Sequence, residues 1–110
     1  MGIPEHIKEY LEYIVNCIKK TIPVSAIYLF GSYAIGDFNS NSDLDIYIVT
    51  PDKTRRLLDL SVEISKSIGI PRRIPIDILV NYEDEFIRRC HLNFTLEKEV
   101  INKGIDINGL

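Results

Sequence analysis

Apolar residues recur along this chain with two different spacings, which divide it into predicted helices and strands. Recurrence every three or four positions, with capping residues at the ends, indicates helices. Apolar runs rich in β-branched and aromatic residues indicate strands. The pattern predicts helices over residues 4–20, 51–68, 81–90 and 93–103, one helical turn at 32–36, strands over 24–30, 44–50 and 74–80, and a short edge strand at 105–107.

The same pattern predicts helix ends and inward-facing side chains. Thr50 followed by Pro51 is typical of a helix start, because threonine caps a helix and proline suits its first turn. Asn81 is the expected cap of the next helix. The side chains expected to face a core are Ile7, Leu11, Ile14, Ile18, Leu57, Leu60, Ile64, Ile68, Phe86, Ile87, Phe94, Leu96 and Val100.

The order of these elements predicts part of the topology. The helix over residues 51–68 connects two strands, and a crossover of this kind places the two strands parallel. A chain of 110 residues and 12.6 kDa can bury one core but not two. A single domain spanning residues 1–110 is therefore expected.

Composition narrows the functional classes. With 45% hydrophobic and 26% charged residues, the chain has the balance of a globular protein. Its net charge of −3 gives no basic field of the kind that attracts nucleic acid. Cys17 and Cys90 are far apart and lack metal-ligand spacing, which favours reduced thiols in the cytoplasm. The N-terminus shows no apolar signal-peptide core, and no apolar run is long enough to cross a membrane.

The candidate chemistry begins with Gly31-Ser32 at the end of one predicted strand and Asp43-Leu44-Asp45 at the start of the next. Side chains two positions apart on a strand share a face, so Asp43 and Asp45 are expected to project together. Paired carboxylates suit Mg²⁺, and a glycine-serine turn can approach a phosphate. Each motif alone is compatible with an ordinary exposed turn, whereas their combination favours phosphoryl or nucleotidyl transfer.

Asp77 adds a third carboxylate. It lies within the apolar run 74–80, where an unpaired buried charge would be costly. Two explanations stay open at this point. One is a metal site shared with Asp43 and Asp45, and the other is an ion pair with Arg72, Arg73 or Lys53.

Other charged residues are expected to be solvated or locally satisfied. Arg55 and Arg56 are assigned to a helix surface, with contact to substrate phosphate or to a partner protein as the alternative. The remaining residues assigned no chemical role are His6, His91, Glu97 and Glu99.

The motif Gly31-Ser32, ten residues, Asp43-Leu44-Asp45 and the later Asp77 resembles the nucleotidyltransferase superfamily that includes DNA polymerase β and the aminoglycoside nucleotidyltransferases. The resemblance is closest to its short branch, the minimal nucleotidyltransferases. It implies a polymerase β-like nucleotidyltransferase fold of α/β (α+β) class, with a small mixed sheet of three to four strands flanked by helices. Ile35 departs from the pattern, because many relatives carry a basic residue there.

The resemblance also implies roles for individual residues. Asp43, Asp45 and Asp77 would coordinate two Mg²⁺ ions and form the catalytic triad, with Asp77 helping to deprotonate the attacking hydroxyl. Gly31 and Ser32 would hold the β- and γ-phosphates of ATP, and pyrophosphate would leave.

The resemblance further implies a partner protein. Members of the branch are typically paired with a helical HEPN protein, often as antitoxin to a HEPN toxin. The expected function is Mg²⁺-dependent transfer of AMP from ATP to such a protein, without direct binding of nucleic acid or membrane. The alternative is a non-catalytic antitoxin that neutralises its partner by contact alone; nucleotidylation of a small molecule is a weaker option. A homo-oligomer and a hetero-complex both stay open.

Overall fold

The computed structural model describes residues 2–69 and 74–110. The helices and strands follow one another in the predicted order. The elements are α1 (Glu5–Thr21), β1 (Ala26–Phe30), α2 (Ser32–Ile35), β2 (Leu44–Thr50), α3 (Leu57–Ile68), β3 (Ile76–Tyr82), α4 (Glu83–Cys90), α5 (Leu96–Lys103) and β4 (Ile105–Asp106).

The four strands of the described residues form one mixed sheet in the order β3-β2-β1-β4. β1 pairs antiparallel with both β2 and β4, whereas β2 pairs parallel with β3. The parallel pair is the one that the crossover helix predicted. The expected small mixed sheet flanked by helices is therefore confirmed.

Helices cover the two faces of this sheet differently. α1 and α3 pack on one face, here called the α1–α3 face, and α4 and α5 pack on the other, here called the α4–α5 face. Alternate residues of a strand point to opposite faces, so Leu44, Ile46 and Ile48 enter the α1–α3 core while Tyr47 and Val49 enter the other. The sheet thus carries two separate apolar clusters.

The α1–α3 face is formed by the predicted helical stripes. Leu11, Ile14 and Ile18 of α1 are completely buried, as are Leu60 and Ile64 of α3. Each such side chain stabilises the fold by roughly 1.5–3 kcal/mol relative to exposure. Favourable charges at its ends add to the stability of α1, with an acidic residue in the first turn and two lysines in the last.

The predicted helix start at Thr50 is wrong. β2 continues through Thr50, whose buried hydroxyl donates to the carbonyl of Pro23 at 2.8 Å and accepts from the N–H of Asp52 at 3.1 Å. The Asp52 carboxylate then accepts from the N–H and hydroxyl of Thr54. These side-chain bonds satisfy the backbone in a turn, so α3 begins only at Leu57.

The predicted cap at Asn81 is also wrong. Asn81 belongs to β3, where its side chain accepts from the N–H of Tyr82 and donates to the Tyr47 hydroxyl. α4 begins one residue after Tyr82. The polar side chain therefore serves a contact across the sheet, which the local sequence does not show.

Three residues predicted to face inward are exposed: Ile87, Phe94 and Leu96. Phe94 lies in the turn between α4 and α5 with φ of 65°, so the predicted helix over 93–103 is interrupted at its start. α5 begins after Thr95, whose hydroxyl accepts from the N–H of Lys98 at 3.2 Å.

None of the helices in the described ranges is long and apolar enough to cross a lipid bilayer.

Candidate active site

The sheet register brings two of the predicted carboxylates side by side. Asp45 on β2 and Asp77 on β3 are paired residues of the parallel ladder. The ladder continues one step earlier, because the N–H of Leu44 donates to the carbonyl of Pro75 at 2.9 Å. Asp43 directly precedes β2, two positions from Asp45 and so on the same side of the strand. The structure therefore places the three acids at one end of the α4–α5 face.

The predicted glycine-serine turn lies against Asp45. Phe30, the last residue of β1, pairs with Asp45 across the antiparallel ladder, and Gly31 follows with φ of 75°. A Cβ atom added to Gly31 would lie 2.2 Å from the Oδ2 atom of Asp45. Glycine is required both by the backbone conformation and by this close approach. The turn that ends at Ser32 and the carboxylates thus form one site.

The carboxylates repel one another. Burial raises the pKa of the Asp45 carboxyl above its ordinary value, and the negative charges of Asp77 and Asp43, together with a hydrogen bond to Asp77, raise that pKa further. A cation bound between these oxygens would remove the repulsion. The site therefore has the electrostatic character of a cation-binding position.

Asp77 is exposed, so the prediction that it is buried within an apolar strand is wrong. β3 lies at the edge of the sheet, and the residues that alternate with Asp77 turn toward the α1–α3 core, namely Ile76, Ile78, Val80 and Tyr82. Asp77 faces the opposite, open side, where water can solvate a carboxylate. Two of its predicted ion-pair partners, Arg72 and Arg73, lie outside the described residues.

The other cations considered from the sequence have partners away from the site. Lys53 pairs with Asp84 at 2.5 Å, so it is not the partner of Asp77. Arg55 pairs with Glu63 at 2.6 Å, and Arg56 pairs with a carboxylate in the first turn of α3. These contacts favour a surface role for both arginines over contact with substrate. Both precede α3 instead of lying within it.

The donors present suit magnesium chemically. Carboxylate oxygens are the ligands that Mg²⁺ prefers, and this ion often binds only one or two of them while water and substrate phosphate complete its shell. Within residues 2–69 and 74–110, no group of three or more acidic, histidine or cysteine side chains is arranged so that it could hold a metal ion by itself. Water and substrate phosphate would therefore have to supply part of the coordination shell of any ion bound beside Asp45 and Asp77.

A buried polar network next to the site was not predicted. The Tyr47 hydroxyl donates to the Glu97 carboxylate at 2.7 Å, and the Nε atom of Arg89 donates to the other oxygen of Glu97 at 2.7 Å. Asn81 donates to the Tyr47 hydroxyl at 3.2 Å. Glu97 is buried, so its assignment to a solvated helix face is wrong. The feature of the sequence that could have indicated this network is Tyr47, which lies two positions after Asp45 and therefore on the same face of the strand.

Comparison with known proteins assigns the family. The profile described as a nucleotidyltransferase domain matches residues 11–106, which include the glycine-serine turn and all three aspartates. The chain belongs to the nucleotidyltransferase domain family. Two proteins of Methanocaldococcus jannaschii, both provisionally named protein adenylyltransferases, are similar over nearly their whole length. MJ0604 is 31% identical over 106 residues, covering 94% of this chain and 96% of the relative. MJ0141 is 30% identical over 109 residues, covering 97% of this chain and 100% of the relative.

Solved structures share the fold. A provisionally assigned nucleotidyltransferase from Sulfolobus solfataricus has a TM-score of 0.55 and 21% identity, covering 96% of this chain and 89% of its own. A provisionally assigned minimal nucleotidyltransferase has a TM-score of 0.57 and 23% identity, covering 92% of each chain. A toxin-antitoxin structure with AMP-PNP has a TM-score of 0.58 and 23% identity, covering 87% of this chain and 70% of the other.

These comparisons confirm the expected nucleotidyltransferase fold, the resemblance to the minimal branch and the nucleotidyltransferase class. The metal, the nucleotide base, the acceptor, the partner and the role of each site residue stay predictions.

Proposed function

We propose that this nucleotidyltransferase transfers AMP from ATP to a hydroxyl group of a protein, releases pyrophosphate and depends on Mg²⁺. The observation that supports the proposal most directly is the position of Asp45, between Gly31 of the turn and Asp77 of the neighbouring strand. A triphosphate bound at the turn would also lie next to the carboxylates. Acids and turn are therefore close enough to act on the same triphosphate.

Asp43, Asp45 and Asp77 are proposed to hold two Mg²⁺ ions, and Gly31 with Ser32 to bind the β- and γ-phosphates. Bound magnesium would supply charge neutralisation for the triphosphate and for the attacking and leaving oxygens. The carboxylates fix this charge in place before the reaction, so little reorganisation is needed in the transition state.

In the proposed reaction the acceptor oxygen forms a bond to the α-phosphorus of ATP, and the bond between that phosphorus and the bridging oxygen breaks. The electron pair leaves with pyrophosphate. Asp77 takes the proton of the attacking hydroxyl, and its exposure supports this role because a large acceptor can reach it.

The acceptor is proposed to be a protein, and specifically a HEPN-type helical partner that the modification neutralises. Two relatives carry the name protein adenylyltransferase, and a structural neighbour is a toxin-antitoxin structure with a nucleotide analogue. The exposure of Asp77 on the edge strand β3 also supports a macromolecular acceptor.

The test is transfer of label from α-³²P-ATP to protein, with wild type compared to Asp77→Asn. The matched control is Asp59→Asn, which removes an exposed acid from α3 on the other side of the sheet. We expect labelling by wild type and control, loss of labelling in Asp77→Asn, and loss on chelation of Mg²⁺. Undiminished transfer by Asp77→Asn would contradict the proposal. Inhibition of the partner without any labelling would instead support the non-catalytic antitoxin.

A further inference from the structure

The edge of the sheet beside the acids is a long strand with an unused set of backbone groups. The sheet ends in β3 on one side and in β4 on the other, and β3 has seven residues whereas β4 has two. Among the described residues, no backbone group outside the ladder with β2 hydrogen-bonds to the backbone of β3. A strand edge of this length can pair with another polypeptide segment.

The register shows which residues of β3 have outward-facing backbone groups. The Pro75 carbonyl accepts from the N–H of Leu44 at 2.9 Å, so the backbone of Pro75 faces β2. Backbone groups of successive residues in a strand point to opposite sides, and therefore those of Asp77 and Leu79 also face β2. The backbone groups that point away from the sheet, and can receive a further strand, are those of Ile76, Ile78 and Val80.

Asp77 occupies the position at which an added strand brings a side chain closest. Because the backbone of Asp77 faces β2, the residue opposite it on an antiparallel added strand forms a non-hydrogen-bonded pair with it. The Cα atoms of such a pair are about 4.5 Å apart, and both side chains lie on the same face of the sheet. Asp77 is exposed on the α4–α5 face. A hydroxyl side chain at the opposing position would therefore lie within hydrogen-bonding reach of its carboxylate.

Leu79 provides an apolar contact for the same added strand. It follows Asp77 by two positions on the same face and is 43% exposed. It lies in one row across the sheet with Tyr47 and Tyr28. The ring of Phe86 on α4 covers these two tyrosines, at ring-centroid distances of 5.2 and 5.8 Å. The helix thus covers the inner strands and leaves Leu79 on the edge strand for contact with an added residue.

A recess lies along the same edge on the α1–α3 face of the sheet. It has a volume of about 130 Å³, and its lining comes from the end of α3 and from β3. The lining residues are Ser65, Ile68, Gly69, Ile76 and Ile78. An aliphatic cavity of roughly 150 Å³ holds a benzene molecule, so this recess has room for one apolar side chain. The residues next to the hydroxyl residue on an added strand point to this face.

We propose that the acceptor protein adds a strand to β3, and that its residue opposite Asp77 carries the hydroxyl group that receives AMP. The proposal rests on the proposed function, since it takes Asp77 to be the base for that hydroxyl. The occupant is the acceptor because the strand that receives it also carries the exposed acid of the site.

The proposal specifies the acceptor as an extended segment with apolar residues around the hydroxyl. A neighbour of the hydroxyl residue enters the recess, and the residue two positions away packs on Leu79. Main-chain hydrogen bonds supply affinity, and the apolar positions supply specificity.

The experiment begins with the wild-type chain, MgATP and an extract of the organism that encodes it. The protein that gains the mass of one AMP group is identified, its modified residue is mapped, and a peptide spanning that residue is synthesised. Absence of any modified protein overturns the proposed function. We expect the peptide alone to be labelled. Labelling of the protein but not of the peptide overturns the strand pairing and leaves the proposed function intact.

The decisive arm is a scan of the peptide in which one backbone N–H after another is replaced by N-methyl, with the wild-type chain as enzyme. An added strand uses alternate N–H groups for its ladder with the edge strand. We expect labelling to fall at least about tenfold at every second position, as for loss of a hydrogen bond, and by less than about twofold at the positions between. These intervening positions are the matched controls, because they carry the same methyl group. Equal effects at all positions, or none at any, overturn the strand pairing.

Val80→Pro tests the same edge from the side of the enzyme. It removes an N–H that points away from β2, and proline is compatible with the outer side of an edge strand. The matched control is Val80→Ala, which shortens the same side chain but keeps the N–H. We expect the KM for the peptide to rise at least about tenfold in Val80→Pro only, with binding of MgATP unchanged in both variants.

An unchanged KM in Val80→Pro overturns the proposal, as does a dimer of the chain that this variant disrupts while the KM stays the same. A melting curve of each variant shows that it is folded. The N-methyl scan uses only the wild-type chain, so it decides the question whatever the stability of Val80→Pro.

Discussion

The two faces of the sheet differ in how their side chains are satisfied. On the α1–α3 face the interior is almost entirely aliphatic, with fully buried residues such as Leu11, Ile14 and Ile64. On the α4–α5 face the interior is aromatic and polar, with Tyr47 hydrogen-bonded to a buried glutamate. One face stabilises the chain by apolar burial alone, whereas the other combines apolar burial with charge and leaves part of the sheet open.

That difference indicates a division of labour. The strands that supply aliphatic side chains to one face also supply Asp45 and Asp77 to the other, so the stable core fixes the positions of the acids. Repulsion between the acids costs stability, and the aliphatic face offsets it. If this is correct, substitutions on the two faces should affect stability and activity in opposite ways.

The largest expected effect is on activity. Asp45→Asn should reduce nucleotidyl transfer about a thousandfold, or roughly 4 kcal/mol of barrier, because in the proposed reaction it removes a charge that stabilises the transition state. The same substitution should raise the melting temperature in the absence of Mg²⁺, because it relieves the repulsion. The measurements are initial rates of AMP transfer and thermal melts.

The pH dependence provides the control for Asp45→Asn. The pKa of Asp45 is raised in the folded chain, so its ionisation is less favourable there than in the unfolded chain. The contribution of Asp45 to wild-type stability, measured as the difference from Asp45→Asn, should therefore fall as pH rises from the ordinary aspartate pKa through the folded one, and then level off. Asp45→Asn should lack this decrease. Added Mg²⁺ at neutral pH should raise the stability of the wild type but not that of Asp45→Asn. A melting temperature lowered by the substitution would contradict the repulsion between the acids.

The next effect is on stability alone. Ile14→Ala removes a completely buried side chain of α1 and should lower the free energy of unfolding by about 3 kcal/mol through the cavity that it leaves. Below the new melting temperature, the rate of AMP transfer should change by less than twofold. Urea unfolding and initial rates measure the two quantities. A large loss of activity in the folded variant would show that the two faces are not separable.

Gly31→Ala tests the contact between turn and acid. Its positive φ and the 2.2 Å approach of a new Cβ to the Asp45 carboxylate should together cost about 2 kcal/mol of stability. Since Asp45 must move, the concentration of Mg²⁺ needed for half-maximal rate should also rise. Gly36→Ala is the matched control, because it has a similar φ with no atom within 4 Å of its added Cβ. An unchanged Mg²⁺ requirement in Gly31→Ala would show that the turn does not influence the proposed metal site.

How far the sequence predicts the molecule also differs between the two faces. The boundaries of α1 and β2 were predicted to within one residue, because their apolar spacing matches burial in the α1–α3 core. The candidate acids were found because motif spacing and strand alternation are both local properties. The contact of Gly31 with Asp45 could not be predicted from motif spacing or from strand alternation, because it depends on the antiparallel register of β1 and β2.

The errors concentrate where polar side chains choose distant partners. Thr50 and Asn81 have the properties of helix caps, but each bonds instead to a group far away in sequence. Glu97 has the properties of a solvated residue, but it lies under Tyr47 and Arg89. Local propensity cannot predict such contacts, because they are decided by which helix packs on which strand.

Glu97→Gln tests that buried network. Burial alone would raise the pKa of Glu97, but hydrogen bonds from Tyr47 and Arg89 lower it below its ordinary value. The stability contributed by this glutamate is therefore present above the ordinary glutamate pKa and is lost as pH falls through the folded one. Glu97→Gln should cost about 1–2 kcal/mol at neutral pH and little at acidic pH, as measured by urea unfolding across the pH range. Glu99→Gln, which breaks an exposed pair, is the control. A pH-independent loss would show that packing, and not charge, sustains the network.

The smallest expected effect has the opposite sign. Phe94→Gly should raise the free energy of unfolding of the isolated chain by about 1 kcal/mol, because glycine adopts the positive φ of this turn without the strain that a side chain brings. Chemical unfolding measures the gain, with Leu58→Gln showing what removal of an exposed apolar side chain does where the backbone is unstrained. Lower stability in Phe94→Gly would mean that the ring already stabilises the free chain. Higher stability would mean that the α4–α5 face carries a residue that costs stability in the free chain.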